Sequence, residues 1–353
     1  MTQPVFHLTE DFVEPYKTQE PPFGFRDVGG NSLGEITFIR TYSRLINGEN
    51  KERWVDTATR VTNATYTIQK QYIKEHKLEW SDQKAQASAK EFFDRLFKIK
   101  FTPPGRGLQQ MGSPQVMSGN SASLQNCGFV STADIQKYDP GAVFEWAMLA
   151  LMYGIGIGAD TLGSKKNIEI RAREGSPEVF VVPDSREGWA ESLRLLINSY
   201  LRKNKPIEFD YSLIRPKGAP LVSFGGKASG PEPLVRLHAK VSEIFEARLG
   251  KTLDAETITD IMNLIGSCVI AGSTRRSAEI ILGEYGDDDF LNLKNPDKFA
   301  ERNSYDPDNP GWAWASNNSV VVPVGADYSQ YKDRISANGE PGLVWLDVIK
   351  QHG

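Results

Sequence analysis

From Arg106 onward, short strand-like runs alternate with longer stretches of helical hydrophobic periodicity, and this pattern constrains the fold most. Such alternation is typical of α/β proteins, in which helices connect the strands of a parallel sheet. We therefore predict an α/β fold for this part of the chain. The predicted strands are Gln125–Ser131, Glu178–Val182 and Ser319–Val324, and the predicted helices are Gly141–Tyr153, Glu187–Leu201, Leu234–Leu249 and Thr257–Ile265.

Residues 1–105 have a different character, and we predict an N-terminal arm followed by a helical region. The first 35 or so residues show no periodicity, which indicates an extended arm. One amphipathic helix then runs from Arg53 to about His76, and Ser81 caps a second. The run Phe101–Gly105 contains two prolines and ends the helical region.

Composition narrows the class of protein. The chain has 353 residues, enough for one large or two ordinary domains, and its 39% hydrophobic content is sufficient for a buried core. The formal net charge of -4 argues against a nucleic-acid-binding protein. Apolar runs are too short to span a membrane, and the polar N-terminus does not resemble a secretory signal. We expect neither nucleic acid nor a membrane as a partner.

Cysteine and histidine usage indicates the compartment and the metal content. Two cysteines and no disulfide framework fit a reducing environment, so we expect a cytoplasmic protein. The four histidines are not spaced with cysteine or carboxylate ligands, and we expect no metal site built by the protein.

Cys127 is the principal candidate for chemistry. It lies in the strand-like run Leu124–Thr132, which follows segments rich in glycine, serine and asparagine. Such flanks suit a polar substrate pocket, and a thiol there suggests redox chemistry. The alternative is a structural cysteine, since a free thiol often packs as a small hydrophobe. Cys268 lies in an apolar helix, and we interpret it as a core residue.

Three glycine-rich stretches suggest close approach of the backbone to a ligand. Gly154–Gly158 lacks the dinucleotide-binding spacing, and a tight backbone crossing explains it equally well. Lys217–Pro231 combines glycines with lysines that suit phosphate, or it forms an ordered surface loop. Gly272–Ala278 carries two arginines in a turn, suited to a base or phosphate, or to solvent.

Taken together, these stretches resemble the ribonucleotide reductases, and most closely the adenosylcobalamin-dependent (class II) ribonucleoside-triphosphate reductases of the monomeric type. The similar segments occur in order across nearly the whole chain, which makes the resemblance specific. They are Arg40–Arg44, Phe101–Gly107, Met111–Pro114, Gln125–Cys127, Gly154–Gly158, Pro183–Trp189, Arg215–Pro220, Gly225–Pro231, Gly272–Ala278 and Ser316–Ser319.

The resemblance implies a ten-stranded α/β barrel made of two five-stranded halves. Residues 106–353 would form the first half, with an insertion at about 165–232 that builds an effector site within one chain. The chain stops where the second half should continue, so we expect a fold that is incomplete at the C-terminus. The finger-loop Asn-x-Cys-x-Glu motif, the second redox cysteine and the C-terminal cysteine pair of the family are missing from this sequence.

The resemblance also assigns roles to individual residues. Cys127 matches the first of two cysteines that supply the electrons replacing the 2′-hydroxyl. The family's ribose and phosphate pocket is matched by Ser113 and Asn126, and its glycine strand beside the substrate by Gly156. Asp134 matches the family's effector-contacting acid. Ser273, Arg275 and Arg276 match the loop that carries the effector's signal to the substrate.

The function implied is reduction of ribonucleoside triphosphates to deoxyribonucleoside triphosphates by a thiyl radical mechanism. Adenosylcobalamin is the implied cofactor, a deoxynucleotide the effector and thioredoxin the reductant. A C-terminal reductase fragment would be a necessary partner, and we expect no activity from the isolated chain. The alternative is a fragment that binds deoxynucleotides without catalysis.

Overall fold

The computed structural model describes residues 5–24, 30, 32–46, 50–137, 139–202, 205–220, 227–270, 278–295, 297–306 and 310–352. The chain forms two compact units, Met1–Asn126 and Cys127–Gly353. The second unit thus begins at the candidate redox cysteine. The predicted division into 1–105 and 106–353 stays a prediction.

The first unit is built around two packed helices. Its elements are α1 (Glu10–Val13), α2 (Leu33–Thr37), β1 (Leu45–Ile46), β2 (Asn50–Lys51), α3 (Trp54–Glu75), α4 (Asp82–Phe97), α5 (Gly105–Gln110) and α6 (Pro114–Met117). The two predicted helices correspond to α3 and α4, which pack against each other. Ser81 caps α4 as predicted, since its hydroxyl accepts a hydrogen bond from the Lys84 amide at 3.4 Å.

Two residues of the predicted N-terminal arm pack against α3. Phe6 and Leu8 are buried. The Phe6 amide donates to Thr67 Oγ1 at 3.0 Å, and the Leu8 amide donates to Asn63 Oδ1 at 2.8 Å. These contacts are hydrogen bonds from the backbone to helix side chains. Because they require no hydrophobic periodicity, the sequence pattern does not reveal them.

The second unit contains a five-stranded parallel sheet. The strands of the unit are β3 (Cys127–Val130), β4 (Gly156–Asp160), β5 (Glu178–Val181), β6 (Ile207–Asp210), β7 (Glu279–Glu284), β8 (Ser316–Val321) and β9 (Gly342–Val344). The main sheet has the order β3-β4-β7-β8-β9, and every neighbouring pair is parallel. Strand order follows chain order, as in one half of an α/β barrel. β5 and β6 form a separate parallel pair.

The described helices of this unit are α7 (Ala142–Met152), α8 (Arg186–Leu201), α9 (Glu232–Glu246), α10 (Ala255–Ile270), α11 (Asp288–Asn292), α12 (Lys332–Asn338) and α13 (Leu346–His352). Two of them pack on the main sheet: α7 contacts β3 and β4, and α10 contacts β7. α7 packs on α8 and α10, and α10 packs on α9. Their contact residues, among them Phe144, Met148 and Ile258, are fully buried. The predicted α/β class is confirmed.

The segment from Asp288 to Pro310 is more buried than its polar composition suggests. Phe290, Lys294 and Arg302 are buried. Arg302 donates from Nε to both carboxylate oxygens of Asp260 on α10, at 2.8 and 2.9 Å. The polar composition of this segment predicts a surface insertion, and that prediction is wrong for these three residues. Phe290 packs beside Gly283, and ion pairs hold the two charged side chains.

Candidate functional site

Cys127 begins β3, and its side chain is an exposed free thiol. It pairs in register with Gly156, the first residue of β4. Paired residues on adjacent strands direct their side chains to the same face of a sheet. Because Gly156 has no side chain, the space beside the thiol stays clear for a ligand.

Alternation along β3 and β4 separates two faces of the sheet. A Cβ on Gly128 would lie 3.0 Å from the Trp146 ring of α7, so Gly128 faces the helices. A Cβ on Gly158 would lie 2.5 Å from the Phe129 ring and 3.3 Å from the Ile280 side chain, so these three residues share the opposite face. We call that opposite face, which carries Cys127, Phe129, Gly158 and Ile280, the open face.

The glycine-rich stretch of β4 is explained by these two faces. Ile157 and Ala159 are buried toward the helices, whereas Gly156 and Gly158 leave the open face flat. Phe129 is 52% exposed and Ile280 is 38% exposed on that face. The open face thus presents exposed apolar side chains beside the Cys127 thiol.

The C-terminal end of the predicted effector loop lies near Cys127. The Ile157 amide donates to the Ala278 carbonyl at 2.9 Å, which places Ala278 next to Gly156. Two strand spacings therefore separate Cys127 from Ala278, a distance of about 10 Å. Ser273, Arg275 and Arg276 lie outside the described residues, so their predicted roles stay predictions.

Asp134 lies beyond the other end of β3. It is exposed in the turn that follows the strand, and its carbonyl accepts from the Lys137 amide at 2.9 Å. The turn is held by Asp160, which accepts from the Thr132 amide at 2.8 Å and from the Thr132 hydroxyl at 2.7 Å. The structure thus separates the candidate effector acid from the candidate redox thiol by the length of the strand.

Ser113 and Asn126 belong to the first unit. Ser113 is buried and caps α6, because its Oγ accepts from the Val116 amide at 3.2 Å. Asn126 is exposed directly before Cys127. The serine therefore has a structural role in addition to the predicted one, and the contact of both residues with substrate stays a prediction.

Cys268 differs from Cys127 in its burial. It is buried in α10, and burial raises the pKa of its thiol to about 12. A thiol with that pKa stays protonated at neutral pH and is a poor nucleophile. This environment agrees with the predicted packing role.

Glu279 is a buried acid on the helix-facing side of the sheet that the sequence analysis missed. Both of its carboxylate oxygens are buried without a hydrogen-bond partner among the described residues, and burial raises its pKa well above the ordinary value. It pairs in register with Ile157 and Ser316 at the start of β7. The alternation in Glu279-Ile280-Ile281 could have revealed it, since it places the glutamate on the same buried face as Ile281.

The segment between β4 and α10, which contains β5, α8, β6 and α9, includes a buried histidine. His238 on α9 bonds through Nε2 to the Ser192 hydroxyl at 3.2 Å and through Nδ1 to the Tyr211 hydroxyl at 2.8 Å. Burial lowers the pKa of His238 to about 3. The imidazole is therefore neutral and acts as a hydrogen-bonded core residue.

Metal ligation and membrane insertion find no support in the described part of the chain. These residues contain no group of three or more His, Cys, Asp or Glu side chains placed to hold a metal ion. Their helices also include none that is long and apolar enough to cross a membrane.

Comparison with known proteins identifies two family domains. Residues 8–113 match the family described as "Ribonucleotide reductase alpha domain". Residues 159–245 match "B12-dependent ribonucleotide reductase, insertion domain". The second match contains β5, β6, α8 and most of α9.

Whole-chain relatives agree with these domains. A probable adenosylcobalamin-dependent ribonucleoside-triphosphate reductase from Dictyostelium discoideum is 43% identical over 98% of this chain and 46% of its own length. The corresponding enzyme from Euglena gracilis is 42% identical, with the same coverage of both chains. A crystal structure of a B12-dependent (class II) ribonucleotide reductase matches with a TM-score of 0.78 and 28% identity, over 97% of this chain and 52% of that one.

The parallel half-barrel and the two domain matches agree with the ribonucleotide reductase family. The chain belongs to the B12-dependent, class II branch of that family, and it corresponds to the N-terminal portion of its relatives. It spans about half the length of the curated relatives that it matches.

Proposed function

We propose that this chain supplies the N-terminal portion of an adenosylcobalamin-dependent ribonucleoside-triphosphate reductase. The observation that carries the proposal is the exposed thiol of Cys127 beside the side-chain-free position Gly156. A substrate sugar can approach the thiol there without displacing a neighbouring side chain. The names of the relatives give the substrate class and the cofactor.

Cys127 has a redox role in this proposal. Two thiols lose two electrons and two protons and form one disulfide, and the substrate's 2′-hydroxyl leaves as water while a C–H bond replaces its C–O bond. Cys127 supplies one thiol, and the second comes from the C-terminal portion, because Cys268 is buried. Thioredoxin, as a dithiol reductant, then restores both thiols by exchange.

Adenosylcobalamin, when bound, supplies the initiating radical. A cavity of about 580 Å³ at the ends of β7 and β8 has the volume of a site for a drug-sized ligand, and its lining includes the carboxylates of Glu284, Asp287 and Asp347. We therefore assign no described residue to the cofactor and route no step through it.

The open face supports the need for a C-terminal portion. Phe129 and Ile280 are exposed there around the candidate thiol. Burying about 100 Å² of apolar surface contributes roughly 2.5 kcal/mol, so a covering layer would be favoured. The second half of the reductase is the occupant that we propose, and it would exclude water from the radical chemistry.

Reconstitution tests the proposed reaction. The chain is combined with the C-terminal portion of the enzyme, adenosylcobalamin, a dithiol and a ribonucleoside triphosphate, and deoxynucleotide is quantified. We expect product from the combination and none from this chain alone. Product from the chain alone would refute the need for a partner, and no product from the combination would refute the reductase assignment.

The allosteric assignment is a separate part of the proposal. Asp134 binds the deoxynucleotide effector, and Ser273, Arg275 and Arg276 carry its signal to the substrate. The position of Ala278, about 10 Å from Cys127, supports the second role, because the loop ends beside the site of reduction. The arginine fork suits base edges or phosphates.

Substrate competition with and without each deoxynucleotide tests these roles. Replacing Arg275 or Arg276 with Ala should reduce the effector's influence on substrate choice more than its affinity. Asp134→Ala should weaken effector binding first. Unchanged preferences in both arginine variants would remove the assignment. Deoxynucleotide binding without any turnover in the reconstituted enzyme would instead favour the alternative of a binding fragment.

A further inference from the structure

Two arginines hold the backbone that leads to Ser113. Arg60 on α3 donates from Nη2 to the Leu108 carbonyl at 2.9 Å and from Nη1 to the Met111 carbonyl. Arg44 donates from Nη1 to the Gln109 carbonyl at 3.1 Å. Three carbonyls within four residues are thus bound by guanidinium groups, an arrangement that fixes the path of this segment.

Glu52 holds the Arg60 guanidinium in place. Nε of Arg60 donates to Oε1 at 2.6 Å and Nη2 donates to Oε2 at 2.8 Å, which is the two-pronged geometry that only arginine offers. The Thr57 hydroxyl and the Arg44 amide also donate to Glu52, at 2.7 and 3.2 Å. Although burial opposes ionisation, these donors hold the pKa of Glu52 below its ordinary value.

The stem of Arg60 also contacts the residue before Ser113. Gly112 has a φ of +80°, and a Cβ built on it would lie 2.8 Å from Cγ of Arg60. Glycine is therefore required both by the backbone conformation and by the arginine. Ser113 follows directly, and its amide donates to the Gln110 carbonyl at 2.8 Å.

We infer that Arg60, oriented by Glu52, is a positioning residue for the Ser113 end of the substrate pocket. The inference rests on the proposed function together with the predicted contact of Ser113 with the ribose or phosphate of the substrate. Arg60 lies on α3 and binds the backbone that precedes Ser113, and it thereby fixes the position of the serine. Residues of this kind locate a binding group without touching the substrate.

The expected kinetic signature is a change in KM rather than in kcat. Ser113 takes no part in the bond changes, so its contact with the ribose or phosphate would be equally strong in the ground state and the transition state. Loss of such uniform binding raises KM and leaves kcat nearly unchanged. A merely structural role would lower the amount or the melting temperature of the folded enzyme and leave its KM unaltered.

Arg60→Lys is the primary variant. A lysine keeps the positive charge that Glu52 requires, so the buried carboxylate stays paired, but a single ammonium cannot reach both carbonyls and the carboxylate together. Arg53→Lys is the matched control: it lies seven residues earlier, at the start of the same helix, and its side chain is 60% exposed and paired with Asp56. Glu52→Gln is the second variant, because it keeps the Arg60 guanidinium but removes the charge of residue 52 and one of its two acceptor oxygens.

Steady-state kinetics of the full reductase should show KM raised about tenfold in Arg60→Lys and about two- to fivefold in Glu52→Gln, and unchanged in Arg53→Lys. In all three variants kcat should stay within about twofold of the wild-type value. Amide hydrogen exchange of the folded variants should be faster at residues 108–113 for Arg60→Lys. An active wild type with an unchanged KM in Arg60→Lys and Glu52→Gln would overturn the inference alone. An inactive wild-type reductase would instead overturn the proposed function on which it rests.

Discussion

Protonation of His238 should make the second unit acid-sensitive. The imidazole lies on α9 between the Ser192 and Tyr211 hydroxyls, and burial lowers its pKa from 6.5 to about 3. The unfolded chain therefore binds a proton near pH 6.5 that the folded chain refuses until about pH 3. The contribution of neutral His238 to folding stability is fully present above pH 6.5 and is lost progressively as the pH falls from 6.5 towards 3.

The size of the effect follows from the two pKa values. Between pH 7 and pH 5 the unfolded histidine gains roughly three quarters of a proton and the folded one almost none, which lowers the free energy of unfolding by about 2 kcal/mol. Urea unfolding followed by circular dichroism at both pH values measures it. His238→Gln removes the titrating group, and exposed His352→Gln serves as the control.

We expect wild type and His352→Gln to lose about 2 kcal/mol more than His238→Gln on acidification. The glutamine variant will start lower at pH 7, since it repacks a buried site beside Phe209, but its pH dependence should be shallower. Equal losses in all three proteins would show that His238 is hydrated or protonated in the folded state. That result would refute the buried, neutral assignment.

Three further predictions concern stability around the sheet. Gly158→Ala should destabilise the second unit by roughly 1–3 kcal/mol, measured by thermal unfolding, because the new methyl group would lie 2.5 Å from the Phe129 ring; an unaltered melting temperature would show that the ring moves freely. Glu279→Gln should stabilise the chain at pH 8 more than at pH 4.5, because burial raises the carboxyl pKa and each pH unit between the unfolded and folded values costs about 1.4 kcal/mol; a destabilised variant at pH 8 would reveal a partner for the carboxylate. Cys268→Ala should cost roughly 1–2 kcal/mol without a specific loss of turnover, and a selective catalytic defect would contradict its packing role.

Local sequence rules predicted the helices well where a cap or a hydrophobic stripe marks the boundary. α8 begins at Arg186, one residue from the prediction, because Ser185 caps it through the Gly188 amide at 3.0 Å. β8 begins three residues earlier than predicted, at Ser316. Its first half is polar, so hydrophobic alternation starts only after the strand has begun.

The site divides in the same way. The exposure of Cys127 and the flat face at Gly156 follow from residue types that a sequence displays directly. Long-range contacts of charged side chains cannot be read from the sequence in this way. Arg60 donates hydrogen bonds to carbonyls about 50 residues away, and Arg302 forms an ion pair with Asp260 across 42 residues. Such pairs leave no local periodicity, and each charge alone is typical of a solvated surface.

The central claim is that Cys127 supplies electrons for deoxynucleotide formation. Its most direct test is the turnover number of Cys127→Ser in the reconstituted reductase, with thioredoxin or a dithiol in excess. A hydroxyl is nearly isosteric with a thiol but cannot enter a disulfide. We predict no catalytic turnover while effector binding stays within about twofold of wild type. Sustained multiple turnovers by Cys127→Ser, at a rate near that of wild type, would contradict the account.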